Sequence, residues 1–320
     1  MLNSYGINAP VISKIDVPSH NIIYKIQDVD ASYVVKIYYA ANFTPPRAGS
    51  QAEHIYYEDE ILRRLENCET PVIPVARDIQ GRSILDIGSR KAMVFRYIDG
   101  SRFDDSVIQI TRSAEALAKI HHCLPKDAIA TRDFDYKSFI SLWINRLPVL
   151  CASPRFTELI YDTASFNKVS KQIASWLEHE PDWQILPWVH GHGDMHPRNF
   201  LYKDDAVFVF DFQAARFMPR LGDIADGMIE FGIFKDALIP ERMKCFLDHY
   251  EAVFPLTEIE RSHMKEFLLT EAVTKIITTL EADFSQGYKA SPDRMKALLD
   301  FCLNSADFLR IAGDTTTRQA

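Results

Sequence analysis

The most informative stretch of the chain is His192-Gly193-Asp194-Met195-His196-Pro197-Arg198-Asn199, which a short hairpin separates from Ala206-Val207-Phe208-Val209-Phe210-Asp211. Its polar residues have the order and spacing that phosphoryl transfer uses. Asp194 can orient and deprotonate a hydroxyl group, and the amide oxygen of Asn199, five residues later, can bind a metal ion. Asp211, at the end of an apolar strand, can bind the metal that bridges nucleotide phosphates. The stretch predicts Asp194 as the catalytic residue and Asn199 and Asp211 as metal ligands.

A second interpretation of the same stretch is a metal site, because His190, His192, Asp194 and His196 form H-x-H-x-D-x-H. This pattern is close to the H-x-H-x-D-H site of metallo-β-lactamase-like hydrolases, and its groups suit zinc or iron. That site needs a histidine directly after the aspartate, where this chain has Met195. Short histidine motifs also match by accident. We favour phosphoryl transfer and expect His190 and His196 to be ordinary loop residues.

Length and composition narrow the class of protein. The 320 residues, 47% of them hydrophobic, can form one large or two modest domains. The five scattered cysteines lack C-x-x-C spacing, and the N-terminus lacks the features of a signal peptide, so we expect a cytoplasmic protein. No apolar run is long enough for a membrane span. The net charge of -8 argues against a nucleic-acid partner and favours a cationic or neutral substrate.

Strand patterns dominate the first hundred residues, and helical patterns dominate the rest. Short apolar runs bounded by turn residues predict strands, and apolar residues at helical spacing predict helices. The expected strands cover residues 11–16, 21–27, 33–39, 72–79 and 91–97. The expected helices cover residues 50–66, 106–123, 136–147, 157–179, 222–234, 240–253, 257–283 and 291–312.

Lys36 and Glu58 are charged residues at positions where the patterns expect apolar ones. Lys36 lies in the middle of an apolar strand, where burial is costly without a partner. Glu58 lies on the apolar stripe of the helix that follows. Together they suggest the ion pair that holds a strand lysine against the α- and β-phosphates of ATP. Glu53 and Glu60, on the more polar side of the same helix, are the alternative partners.

The segment 192–199 matches H-G-D-x-x-x-x-N, and the chain resembles the aminoglycoside phosphotransferase and choline kinase superfamily. The strand with Lys36, its following helix and the P-V-P-like segment 71–74 also resemble that superfamily. The resemblance implies an α+β, two-lobed, protein-kinase-like fold. The β-rich nucleotide-binding lobe would cover residues 1–97, and a mostly helical catalytic and acceptor-binding lobe would cover residues 98–320.

Further residue roles follow from the resemblance. The strand 91–97 would lead into the interlobe hinge, where main-chain groups of Arg96 and Ile98 bind adenine. Protein kinases carry G-x-G-x-x-G between the first two strands, but this chain has Val17-Pro18-Ser19-His20-Asn21. Ser19 would then donate to phosphate, or the segment is a plain β-turn. Asp223 matches a D-x-A element whose aspartate supports the catalytic loop.

The implied activity is ATP- and Mg²⁺-dependent phosphorylation of a hydroxyl group on a small molecule. Acceptors in the superfamily include aminoglycosides, choline or ethanolamine, homoserine and methylthioribose. A protein Ser/Thr kinase is the first alternative, because Asn21-Ile22-Ile23-Tyr24 before the lysine strand resembles a bacterial stress-response kinase. A nucleotide-binding regulator without catalysis is the second, and the missing glycines favour it.

The acceptor itself is predicted to be cationic. The chain is net acidic, and the segment after the metal strand supplies Asp226, Glu230, Phe231 and Phe234 on one helix. Carboxylates and aromatic faces suit an amino or quaternary ammonium group. The alternative is that the aromatic residues belong to the core and the acids are solvated. Two tryptophans, Trp143 and Trp188, lie in segments that could also face this site.

Overall fold

The structure, a computed structural model, describes residues 2–8, 10–16, 21–38, 51–125, 127, 129, 136–179, 185–286 and 289–313. Ser19 lies outside these residues, so its role in phosphate binding stays a prediction. Within the described ranges, no helix combines the length and the apolar character that crossing a bilayer requires.

Five antiparallel strands form the sheet of the N-terminal lobe. They are β1 (Val11–Ile15), β2 (Ile22–Gln27), β3 (Ser32–Ile37), β4 (Ile84–Ile87) and β5 (Arg90–Arg96), with helix α1 (Gln51–Asn67) between β3 and β4. The strand order is β1-β2-β3-β5-β4. Lys36 lies opposite Ile23 of β2 and Met93 of β5, so the lysine is held at the centre of the sheet.

The strand predicted over residues 72–79 is wrong as a regular strand. This segment makes only isolated bridges, at Val72 and Val75. Pro71 and Pro74 have no N–H to donate to a ladder, which prevents continuous pairing. The main-chain oxygen of Pro74 still accepts a hydrogen bond from Arg96 at 2.9 Å. The strand β4 was missed, because four residues are too short to show a clear alternation.

The C-terminal lobe is mostly helical, as predicted. Its helices are α2 (Val107–Cys123), α3 (Tyr136–Ile144), α4 (Leu147–Cys151), α5 (Pro154–Leu159), α6 (Thr163–His179), α7 (Arg220–Gly232), α8 (Pro240–Val253), α9 (Glu258–Gln286) and α10 (Pro292–Gly313). The single helix expected over residues 157–179 is divided into α5 and α6. Asp162 accepts a hydrogen bond from the main-chain N–H of Ser165 at 3.0 Å, and this cap starts the second helix.

Three antiparallel strand pairs lie among these helices. They are β6 (Trp188–Gly191) with β9 (Arg216–Pro219), β7 (Phe200–Lys203) with β8 (Ala206–Val209), and β10 (Ile233–Phe234) with β11 (Ala237–Leu238). The main core is continuous from α1 through the helical lobe, and a smaller core covers the other face of the N-terminal sheet. We propose the lobe boundary at residues 97 and 98, because β5 ends at Arg96 and α2 begins at Val107.

Candidate active site

Two short connections carry the predicted catalytic and metal-binding residues. The catalytic loop, residues 192–199, links β6 to β7 and ends in a 3-10 turn at Pro197–Asn199. Asp211 follows β8 and has a left-handed backbone with φ of 67°. The main-chain N–H of Phe210 donates to the oxygen of Asn199 at 3.0 Å, so the two connections are held side by side.

Asp194 and Asn199 contact each other directly. The side-chain amide of Asn199 donates from Nδ2 to the main-chain oxygen of Asp194 at 2.9 Å and to its Oδ2 at 3.1 Å. Because the nitrogen is used in these bonds, Oδ1 of Asn199 is the atom that could bind a metal ion. The carboxylate of Asp194 is thereby oriented at the rim of the same site.

Lys36 bridges the sheet and the metal-binding segment. Its Nζ lies 2.7 Å from Oδ1 of Asp211 and 3.3 Å from Oε1 of Glu58. The hydroxyl of Tyr38 donates to Oε2 of Glu58 at 2.9 Å. Of the three candidate carboxylates on α1, Glu58 is the one that pairs with the lysine. Glu60 is exposed, and the side chain of Glu53 lies outside the described part.

The electrostatics of this pair keep the lysine charged. Burial by itself would lower the pKa of Lys36, but the Asp211 and Glu58 carboxylates raise it above its ordinary value. Burial raises the pKa of Glu58, and the neighbouring lysine opposes that effect. A buried ammonium group next to a partly exposed carboxylate suits a site that binds phosphate oxygens and a metal ion.

Asp223 supports the start of the catalytic loop. Its carboxylate accepts hydrogen bonds from the main-chain N–H groups of His192 at 2.6 Å and Gly193 at 2.7 Å. His121 Nε2 lies 3.0 Å from the same carboxylate. Gly193 has φ of +75°, and a Cβ there would lie 2.4 Å from the oxygen of Ala214, so the loop requires glycine at this position. The assignment from sequence placed Asp223 in this role only by resemblance.

The three histidines of the H-x-H-x-D-x-H pattern have separate protein partners, and His190 lies in strand β6 and not in a loop as expected. His196 Nδ1 accepts from the N–H of Arg198 at 3.1 Å. His190 Nδ1 lies 2.6 Å from the hydroxyl of Tyr57. His192 accepts at Nδ1 from the N–H of Asp194, so its Nε2 carries the proton and donates to the oxygen of Phe210 at 3.0 Å. Among the described residues, no three His, Cys, Asp or Glu side chains form a group that could hold a metal ion. The geometry therefore does not support the metallohydrolase interpretation.

The hinge residues lie at the end of β5. The N–H of Arg96 is bonded to Pro74, and its guanidinium donates to the hydroxyl of Tyr33 at 3.0 Å. The N–H of Tyr97 donates to the oxygen of Ser32 at 2.9 Å. Ile98 is the residue that follows. Adenine binding by main-chain groups of Arg96 and Ile98 stays a prediction.

The sequence-based prediction of acceptor-binding acids on α7 needs correction. Asp226 and Glu230 are buried and paired with Lys275 of α9, at 2.6 and 2.7 Å. Phe231 is fully buried, and its ring packs against Phe103, Phe200 and Phe246, so it belongs to the core. Trp143 and Trp188 are half-buried and pack against other aromatic side chains.

Two further contacts near the site were not predicted. Asn21, at the start of β2, donates from Nδ2 to Oε1 of Gln213 at 2.7 Å, and this bond joins the N-terminal sheet to the segment after Asp211. Tyr38 was also missed as the second partner of Glu58. Its position two residues after Lys36 on one strand was a usable signal, because residues at that spacing share a face. Neither Asn21 nor Gln213 carries a pattern that would have indicated their pairing.

A curated relative matches about two thirds of the chain. Stress response kinase A of Escherichia coli O157:H7 is 26% identical over 208 residues, which are 64% of this chain and 58% of the relative. The chain therefore spans less than two thirds of the length of that protein.

Solved structures share the whole architecture. An aminoglycoside phosphotransferase from Alicyclobacillus acidocaldarius matches with a TM-score of 0.65 at 14% identity, covering 96% of this chain and 92% of that one. An amicoumacin kinase in complex with AMP-PNP and Ca²⁺ matches with a TM-score of 0.65 at 15% identity, covering 95% and 88%. The predicted α+β, two-lobed, protein-kinase-like fold is confirmed.

The family of the chain is identified by a sequence profile that matches most of its residues. The sequence profile of the phosphotransferase enzyme family matches residues 12–252, which include both the lysine strand and the catalytic loop. The match ends before α9 and α10. Lys275 of α9 pairs with Asp226, and Arg294 of α10 pairs with Glu230, on the helix that follows β9. Motif, geometry and fold agree with the profile, and the chain belongs to the phosphotransferase enzyme family.

Proposed function

We propose that the protein is a kinase that transfers the γ-phosphoryl group of ATP to a hydroxyl group of a small molecule. One observation carries the proposal: Lys36 Nζ, held by Glu58, lies 2.7 Å from Oδ1 of Asp211. In this proposal, the contact joins the cation that would bind phosphate to the carboxylate that would bind the metal ion. The Asp194–Asn199 pair lies in the adjoining loop, which the hydrogen bond from the N–H of Phe210 to the oxygen of Asn199 holds beside Asp211.

Each of these residues has a separate role in the proposed reaction. Asp194 orients the acceptor hydroxyl and takes its proton, while the acceptor oxygen forms a bond to the γ-phosphorus. The bond from that phosphorus to the β–γ bridging oxygen breaks, and ADP leaves. Lys36 binds phosphate oxygens, and Asn199 and Asp211 would hold Mg²⁺, which neutralises phosphate charge when bound. No covalent enzyme intermediate is needed, because positioning and charge stabilisation supply the catalysis.

The class of acceptor is supported by the fold's neighbours. The similar structures include an aminoglycoside phosphotransferase and an amicoumacin kinase, and the second is in complex with AMP-PNP and Ca²⁺. A cationic acceptor is the finer part of the proposal. Asp226 and Glu230 lie 2.6 and 2.7 Å from Lys275, whereas Glu271 of α9 lies 3.7 Å from the same lysine, so the carboxylate that supports this part of the proposal is the more weakly paired Glu271. Burial, with Asp226 next in effect, raises the pKa of Glu271 to about 8, and an ammonium group would favour its ionised form.

A protein Ser/Thr kinase is the second candidate, and the match to stress response kinase A favours it. A regulator without catalysis is the third. The intact Asp194, Asn199 and Asp211 argue against it, although the segment between the first two strands lacks glycine. We further propose a cytoplasmic protein without nucleic-acid or membrane partners, from the scattered cysteines and the net charge of -8.

The test is an ATP-consumption screen with Mg²⁺ against alcohols, amino alcohols and aminoglycosides, with a protein-substrate mixture in parallel. We expect turnover with a small alcohol and none in the Asp211→Ala variant. Phosphate transfer to protein alone would favour the second candidate. Nucleotide binding without turnover on any acceptor would favour the third.

A further inference from the structure

Helix α7 presents three carboxylates to the catalytic loop. Asp223, Asp226 and Glu230 are spaced three and four residues apart, so they lie on one face of the helix. Asp223 binds the N–H groups of His192 and Gly193. The other two carboxylates continue the series along the loop.

Asp226 and Glu230 contact the middle of the loop. Asp226 Oδ2 accepts from the main-chain N–H of Met195 at 2.8 Å, directly after Asp194 in the chain. Glu230 Oε2 lies 3.5 Å from Nε2 of His196. Since Met195 is fully buried, its side chain and its N–H together fix the position of the residue next to the catalytic aspartate.

One lysine neutralises both of these carboxylates. Lys275 Nζ lies 2.6 Å from Oδ1 of Asp226 and 2.7 Å from Oε1 of Glu230. Arg294 of α10 adds a second cation at 2.7 Å from Glu230. The side chains of Asp226 and Glu230 are only 8% and 2% exposed, so their charges need these partners.

Asp226 is the carboxylate that depends most on the positive charge of Lys275. Burial raises the pKa of this carboxyl, Lys275 opposes the rise, and Glu230 and the catalytic Asp194 add to it. Without the lysine, Asp226 would stand unneutralised beside two other anions. The Asp226 carboxylate would then take up a proton or change its position. Its hydrogen bond to the N–H of Met195 would weaken, because hydrogen bonds to charged acceptors are roughly twice as strong as those to neutral ones.

We propose that Lys275 is a positioning residue for catalysis, which acts through Asp226 to hold the main chain next to Asp194. Its helix, α9, begins at Glu258, beyond the residues 12–252 that match the family profile. The part of the chain outside that profile thus completes the catalytic loop. The role of Asp194 in this argument rests on the proposed function.

The first measurement needs no acceptor and no turnover. Residue-resolved amide hydrogen exchange is compared for the wild type, Lys275→Met and Lys275→Arg. We expect the amide of Met195 to exchange at least about tenfold faster in Lys275→Met, while the amides of His192 and Gly193, which Asp223 holds, stay protected. Lys275→Arg should restore protection of Met195. Equal acceleration at all three amides, or none, would overturn the proposal.

The matched control is Arg146→Met, which removes another ion pair of α9, between Arg146 and Glu281. It should leave the exchange of Met195 as in the wild type. Should Lys275→Met fail to fold, the double variant Asp226→Asn/Lys275→Met leaves no unpaired charge at Asp226. Its Met195 amide should still exchange faster than in Arg146→Met, since an amide oxygen is the weaker acceptor; wild-type protection in the double variant would overturn the proposal.

The second measurement uses any acceptor found in the screen. Lys275→Met should lower kcat at least about tenfold, because the catalytic group is misplaced. The KM for ATP should stay within about twofold, because Lys36 and Asp211 are untouched. A loss confined to the KM for ATP would contradict the proposal. If the wild type phosphorylates nothing, the proposed function fails, and the exchange measurement still decides the role of Lys275.

Discussion

At the residue scale, the proposed reaction depends most on the side chain of Asp194. It is bonded to Asn199, whereas Lys36 is held by Glu58 and Asp211. Asp194→Asn should therefore lower kcat by about two orders of magnitude or more, which is the usual contribution of a positioned base. Steady-state kinetics on the acceptor from the screen would measure this loss.

ATP affinity provides the control for that variant. Titration of the nucleotide should give nearly the wild-type Kd in Asp194→Asn, because the phosphate-binding lysine keeps its partners. Near-normal turnover in Asp194→Asn would show that another group acts as the base.

A second residue-scale prediction concerns Glu271, whose side chain is 16% exposed and lies 3.7 Å from Nζ of Lys275. Because its pKa is raised to about 8, the carboxyl is mostly protonated at pH 7 and ionises as the pH rises. A cationic acceptor needs the ionised form, so its affinity should increase between pH 6.5 and about 8.5, with release of a proton on binding. Calorimetry with choline, whose charge does not change with pH, in buffers of different ionisation enthalpy would measure both effects.

Glu271→Gln should bind choline more weakly and remove the pH dependence. Binding of an anionic alcohol that is tighter than that of choline in the wild type would contradict the cationic part of the proposal. The kinase assignment would stand in that case.

At the scale of elements, the nucleotide site depends on the contact between strand β3 and helix α1. Lys36 and Tyr38 share one face of the strand, and both bind Glu58. The variants Lys36→Met and Glu58→Gln should each raise the KM for ATP, and the double variant should be little worse than the poorer single one. Kinetics and chemical denaturation of all four proteins would complete this double-mutant cycle.

The denaturation part of the cycle has a control on the same helix. Breaking a buried pair costs about 3 kcal/mol or more, because it leaves an unpaired charge. Arg63→Met removes the ion pair of Arg63 with Asp59, in which the arginine is 52% exposed, and should cost less than about 1 kcal/mol. Fully additive losses for Lys36 and Glu58 would show that the two side chains act independently.

At the scale of the whole molecule, two histidines with lowered pKa values, the partly buried His196 and the fully buried His121, should make the fold sensitive to acid. Burial lowers the pKa of His196 to about 4, and it also lowers the pKa of His121. Below pH 6.5 the unfolded chain therefore binds protons that the folded chain does not. The free energy of unfolding should decrease as the pH falls from 6.5 towards 4. Urea denaturation at pH 7.5, 6.0 and 5.0 would measure the decrease.

The variant His196→Gln should flatten this dependence, because it removes one of the two histidines. His179→Gln, at an exposed position near the end of α6, serves as the control and should keep the wild-type slope. An unchanged slope in His196→Gln would show that acid sensitivity comes from other groups.

The sequence alone determined the parts of the site that depend on local patterns. Asp194 and Asn199 lie in one short loop, so their spacing brings them together, as the structure shows. Lys36 and Glu58 were found because each interrupts an apolar period on its own strand or helix. Local patterns also indicated a strand-rich part followed by a helical part, and the family resemblance implied that these parts form two lobes.

Only the tertiary structure decided which acids on α7 pair with cations from other helices. Asp226 and Glu230 were predicted to bind the acceptor, but they pair with Lys275 and Arg294 on helices much later in the chain. The strand predicted over residues 72–79 likewise forms only isolated bridges, because Pro71 and Pro74 cannot donate, although Val72 and Val75 are buried. The spacing of apolar residues shows which face of a helix or strand is buried. The partner of a buried charge depends instead on how elements distant in the sequence pack together, and no local pattern carries that information.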